Sequence, residues 1–156
     1  MRIQLINPPL DAVLRNGNVS PVTAFLFFNS APLGLLYLAA ALLEAGHVVE
    51  VLDAAAEQLD VPGTVQRAQS FRPDVIGLGS TTVGFHSAVE LAEALKGALP
   101  SIPVILGGHH VTLLPDDAMA HVCFDVGVID EGEHTLVELV EHYRGAKSLE
   151  IGRAHV

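Results

Sequence analysis

The sequence predicts an α/β domain, an open parallel β-sheet with helices on both faces. Two observations lead there. Five short apolar, β-branched runs alternate with segments of helical periodicity along the 156 residues, and alternation of that kind is the signature of a parallel sheet built from β-α-β units. The composition agrees: half of the chain is hydrophobic but only 5% is aromatic, so the apolar content is Val, Leu, Ile and Ala, as parallel strands buried on both faces require. The length suits one domain with a real core and is too short for two ordinary ones.

The first strand is expected at "RIQLIN" (2–7), followed by Asn7, Pro8 and Pro9. A dinucleotide-binding fold needs G-x-G-x-x-G at this point so that a pyrophosphate can reach a helix N-terminus, and that motif is absent, as is the G-x-x-x-x-G-K-[ST] of nucleotide hydrolases. From Val22 to Leu43 the chain carries no charge, long enough to span a bilayer. Asn29, Ser30, Pro32 and Gly34 interrupt it, and Pro32 stands where a helix starts, which argues against a membrane span. The spacing predicts a helix over Leu33–Ala45, with Leu35, Leu38, Leu42 and Leu43 recurring before Gly46 ends it.

The second strand is expected at "VVEVLD" (48–53), then a helix over Val61–Phe71, then the third strand at "DVIGLG" (74–79). After it come Ser80, Thr81, Thr82 and Gly84. These hydroxyls, ahead of free helix N–H groups, suit a ligand's amides or phosphate, or else simply cap and turn the chain. A phosphoryl-receiver domain needs clustered carboxylates at the first and third strands to hold Mg²⁺, and Asn7 and Ser80–Thr82 stand there instead. The helix over Gly84–Leu99 buries Val89, Ala92, Leu95 and Leu99 and turns Glu90, Glu93 and Lys96 mostly outward.

The fourth strand, "PVILGG" (103–108), runs into His109 and His110. Gly107 and Gly108 lack Cβ atoms, so they permit either a tight turn or a bulky ligand close to the backbone. If the chain is extended here, the two histidines point to opposite sides and cannot share one metal ion, and no spacing to His121 or Cys123 matches a zinc site. No metal site is therefore expected. A short helix over Pro115–His121 leads to the fifth strand, "DVGVID" (125–130), and to Glu131, Gly132 and Glu133 ahead of a last helix over Glu133–Arg144. Glu133 complements the helix dipole, whereas Glu131 is free to accept hydrogen bonds from a ligand.

A formal charge of −10 disfavours nucleic acid or an anionic membrane as a partner. The lone Cys123 excludes an internal disulfide and fits a reducing compartment, and "MRIQLINPP" lacks the features of a signal peptide, so a cytoplasmic location is expected. Residues 1–149 are expected to form the domain. The segment "EIGRAHV" (150–156) has no apolar periodicity and resembles translated sequencing-adapter read-through, so it is expected to be a non-native tail with the natural chain continuing beyond it; a genuine short polar terminus is the alternative.

Taken in order, "INPP", "APLGLLYLAAALLEAGHVVEVLDA", "DVIGLGST", "VILGGHHVT" and "DVGVIDEGEHTLVEL" resemble the N-terminal cobalamin (vitamin B12)-binding domain of cobalamin-dependent radical SAM enzymes, from about Arg2 to Tyr143. The resemblance implies a doubly wound, flavodoxin-like, Rossmann-type five-stranded sheet with the corrinoid over the carboxyl ends of its strands. It implies cofactor-facing positions at Asn7, Pro8 and Pro9, at Ser80, Thr81 and Thr82, at Gly107, Gly108, His109 and His110, and at Glu131, Gly132 and Glu133. Two departures stand out. Asp130 occupies the first position of the family's usual Gly-Glu-Gly-Glu, and the D-x-H-x-x-G of mutase-type cobalamin domains is missing, which implies a corrinoid without a protein His on cobalt from the first loop. The family's C-x-x-x-C-x-x-C motif is also missing, so S-adenosylmethionine and the iron-sulfur cluster belong to an expected downstream radical SAM domain, often a methyltransferase. On this view no residue of the fragment is catalytic. A stand-alone corrinoid carrier and a degenerate domain serving only assembly are the alternatives.

Overall fold

The protein is described from a computed structural model that covers residues 1–9, 31–145 and 154–155. The remainder of the first loop, the beginning of the uncharged stretch and most of the tail lie outside the described residues. The elements in order are β1 (Arg2–Asn7), α1 (Leu33–Glu44), β2 (Val48–Asp53), α2 (Val61–Phe71), β3 (Val75–Gly79), α3 (Phe85–Ala98), β4 (Val104–Gly107), α4 (His109–Leu113), α5 (Pro115–Met119), β5 (Val126–Val128), α6 (Glu133–Tyr143) and β6 (Ala154–His155). The sheet order is β2-β1-β3-β4-β5-β6. The pairings among β1 to β5 are all parallel, so the five expected strands form the doubly wound sheet, and strand order reverses between β1 and β3.

Period-two alternation splits the core into two layers. Ile3 and Leu5 of β1, Val75 of β3 and Ile105 of β4 pack with Leu35 and Leu42 of α1 and Leu136, Leu139 and Val140 of α6. Ile6, Ile76, Leu78, Val104 and Leu106 face the other way, onto Ala68 of α2 and Leu91 and Leu95 of α3. The helix ends follow local chemistry. Asp60 caps α2 by accepting from the Gly63 N–H at 2.8 Å, and Gly46 leaves α1 at φ +83, a left-handed conformation suited to glycine.

Two local features are visible only in the structure. His109 and His110 are not extended: they open the short helix α4 directly after Gly108. Val111, Thr112, Leu113 and Leu114 follow them, and Pro115 restarts the chain as α5, so two short helical turns stand one after the other. In the tail, Ala154 and His155 pair antiparallel with Val128 and Gly127. Edge pairing uses backbone groups alone, so it needs none of the side-chain periodicity by which strands are recognised.

Candidate functional site

In a doubly wound sheet the loops at the carboxyl ends of the strands diverge on either side of the switch point and leave a crevice. Here the crevice is a cleft of about 680 Å³, within the size range of small-molecule sites. Side-chain deletions deepen it. Gly77, Gly79 and Gly107 occupy successive positions of β3 and β4 on the face that looks toward α1 and α6, level with Leu5 and Ile105. The space over Gly77 and Gly79 is taken by Leu5 and Leu35, whose methyl carbons lie 2.8 and 3.2 Å from where a Cβ would stand. Over Gly107 nothing lies within 4 Å, so its missing side chain is open cleft.

Each loop brings the residues that the sequence singled out, with two exceptions. Asn7, Pro8 and Pro9 line the cleft from β1, Ser80 and Thr81 from β3, Gly107, Gly108 and His109 from β4, and Glu131, Gly132 and Glu133 from β5. Thr82 is exposed and does not line it. His110 is only 3% exposed and also lies away from it, because one step of helix α4 turns the neighbouring side chain into the protein. Its ring stacks on Phe85 at 3.7 Å between centroids, its Nε2 lies 3.1 Å from Asp117 Oδ2, and its Nδ1 is buried without a partner. Of the metal ligands considered, His121 packs edge-on against Phe85 and Cys123 is buried, its thiol pKa pushed up chiefly by that burial. Among the described residues no cluster of three His, Cys, Asp or Glu could hold a metal ion.

Several lining groups carry no motif and escaped the sequence. The start of α1 contributes Leu35 and Leu38, the floor contributes Ile105, and Ser87 of α3 and Thr112 of α4 add hydroxyls. Thr112 links two loops: its Oγ1 donates to the Gly108 carbonyl at 3.1 Å and accepts from the Asp130 N–H at 3.0 Å. Asp130 itself sits at φ +60, a left-handed geometry that Asp tolerates better than most residues. Asn7 is held by donation from its Nδ2 to Asp53 Oδ1 at 2.8 Å. Ser80 Oγ donates to the Thr81 carbonyl at 2.9 Å, and Thr81 Oγ1 accepts from Gly84 N–H at 3.3 Å, so both hydroxyls shape the turn while lining the cleft.

Ser87 is 2% exposed and its hydroxyl has no partner, a cost normally relieved by hydrogen bonding. Among the described residues no cleft hydroxyl is bonded to a histidine or a carboxylate, which leaves no activated nucleophile. The cleft therefore combines a glycine-thinned floor, apolar Leu and Ile surface, scattered hydroxyls and the carboxylates of Asp130, Glu131 and Glu133.

Residues 20–140 match the B12 binding domain family, and the chain belongs to it. The chain is 33% identical over 144 residues to the uncharacterized methyltransferase PH0819 of Pyrococcus horikoshii, covering 90% of this chain and 29% of that protein. It is 32% identical over 143 residues to the anaerobic magnesium-protoporphyrin IX monomethyl ester cyclase of Synechocystis, covering 90% of this chain and 27% of the relative. The chain thus spans less than a third of the length of these curated relatives. The fold is also that of the radical S-adenosylmethionine methyltransferase TsrM from Kitasatospora setae, solved with cobalamin and a 4Fe-4S cluster (TM-score 0.73, 23% identity, 94% of this chain and 25% of that one). Among the described residues no helix is long and apolar enough to cross a membrane.

Proposed function

We propose that this chain holds cobalamin over the carboxyl ends of β1, β3, β4 and β5, as the cofactor domain of a larger radical SAM enzyme of the methyltransferase type. The observation that carries the proposal is the family's cofactor meeting a cleft built to admit it. Gly107 leaves open space for a close approach, and the buried Ser87 hydroxyl awaits a polar group. When bound, a corrinoid supplies a cobalt centre able to accept and hand on a methyl group. The chain's own residues do the holding. Leu35, Leu38 and Ile105 give apolar contact, Ser80, Thr81 and Ser87 offer hydroxyls on one side, and Glu131 and Glu133 accept hydrogen bonds on the other. His109 is the imidazole that lines the cleft, placed to hydrogen-bond the ligand's periphery.

Residues 1–30, the first strand and its loop, contain no histidine, so cobalt carries no protein His ligand from there. S-adenosylmethionine and the iron-sulfur cluster belong to a downstream domain, the partner of this one, in a cytoplasmic enzyme. Both the methyltransferase naming of one relative and the cysteine-poor composition favour this assignment. The test is direct. The chain is mixed with hydroxocobalamin and desalted, and corrinoid absorbance is expected to stay with the protein; loss of all absorbance would point to a domain serving assembly. Electron paramagnetic resonance of the Co(II) form should show no nitrogen hyperfine splitting from a protein His. A parent gene without a downstream cysteine triad would defeat the radical SAM part.

A further inference from the structure

The cleft has a one-sided electrostatic character. Asp130, Glu131 and Glu133 all line it on the β5–α6 side, and no Lys or Arg does so among the described residues. Across the cleft, the Ser87 hydroxyl is buried, unpartnered and part of the α3 wall. An ionised carboxylate can only accept hydrogen bonds, so the rim calls for N–H or O–H donors and repels acceptor anions. A corrin ring is fringed with carboxamides that donate in this way, whereas its hydrolysed or incompletely amidated forms carry carboxylates.

Resting on the corrinoid assignment above, we propose that Asp130, Glu131 and Glu133 form a selectivity rim that admits fully amidated corrinoids and rejects acidic ones. The amide N–H groups of the ligand donate to the rim carboxylates. An acid in the same place faces like charge with no lysine or arginine from the described cleft wall to neutralise it, and like-charge juxtaposition is disfavoured even though Asp130 and Glu131 are exposed. Discrimination is therefore electrostatic and weakens as salt shortens the screening length from about 10 Å at 0.1 M to about 3 Å at 1 M.

The experiment compares dicyanocobinamide with dicyanocobyrinic acid, whose peripheral amides are all free carboxylates, using the full chain at neutral pH. The two share the metal, its charge and its axial ligands. Binding followed by corrinoid absorbance should favour the amide form by about tenfold or more at low salt. The ratio should narrow in 1 M salt and in the variant combining Asp130→Asn, Glu131→Gln and Glu133→Gln. Asn keeps the tolerance for positive φ that position 130 needs. The salt titration needs no variant, so it stands even if the triple substitution fails to fold. Equal binding of both corrinoids at low salt, or a preference unmoved by salt, overturns the rim while leaving the corrinoid assignment intact. Failure of both corrinoids to bind overturns the rim and the corrinoid assignment together.

Discussion

Gly108→Ala should cost this protein much of its stability, whereas the neighbouring Gly107→Ala should cost almost none. Gly108 lies at φ +102 and ψ −172, a region open in practice to glycine alone, and forcing a side chain there costs about 1–3 kcal/mol. A Cβ would also stand 2.5 Å from the Ser80 carbonyl oxygen and 3.0 Å from the Ser80 nitrogen. Both atoms are backbone, and Ser80 N–H is itself bonded to the Gly107 carbonyl at 2.9 Å, so the clash is relieved only by moving β3 away from β4. Overpacking of that kind adds about 1–3 kcal/mol. The sum, about 2–6 kcal/mol, is a large part of the roughly 5–15 kcal/mol that holds a domain together.

At Gly107 a Cβ meets nothing within 4 Å, and the change should stay within about 0.5 kcal/mol. Urea denaturation followed by circular dichroism separates the two. With a slope of about 2 kcal/mol per molar, Gly108→Ala should lower the midpoint by about 1–3 M and Gly107→Ala should barely move it. Corrinoid retention should show the reverse sensitivity among folded protein, because the Gly107 methyl projects into the cleft. A Gly108→Ala midpoint equal to that of the unsubstituted chain would refute the reasoning from backbone geometry.

Thr112→Val removes the hydroxyl that ties Gly108 to Asp130 while keeping the shape. It should cost about 1 kcal/mol and weaken corrinoid binding, and Thr112→Ser should restore both, as read by denaturation and by absorbance after desalting. His47 gives a pH dependence. Burial, then the Met1 ammonium 3.5 Å from Nδ1, lower its pKa below 6.5, with Glu141 opposing and Arg144 adding to the drop. The unfolded chain then takes up the proton first, so the stability this group contributes is present above pH 6.5 and lost as pH falls through the folded value. Denaturation midpoints should fall between about pH 7.5 and about pH 5.5, and less steeply in His47→Gln; an unchanged slope in that variant would remove His47 as the cause.

Much of the site was legible because ligand loops in this architecture follow strands, and strands announce themselves. Asn7–Pro9, Ser80–Thr81, Gly107–His109 and Glu131–Glu133 all reached one cleft from positions defined by apolar runs alone. Thr82 and His110 lie away from the cleft, and for His110 the reason is local. A β-strand sends neighbours to opposite faces, a helix turns them by about 100°, and where β4 gives way to α4 depends on the positive φ of Gly108, which a glycine permits but does not declare.

By itself, then, the sequence determined the α/β class, the five parallel strands and the loops that line the cleft, because each follows from short-range periodicity or intrinsic backbone preference. The order β2-β1-β3-β4-β5 was decided only in three dimensions. So were the filling of the Gly77 and Gly79 spaces by Leu5 and Leu35, the open space over Gly107 and the orphaned hydroxyl of Ser87. So was the Thr112 link between loops that lie 18 residues apart. Each of these depends on which atoms of distant segments come within a few ångströms, and no spacing along the chain encodes that.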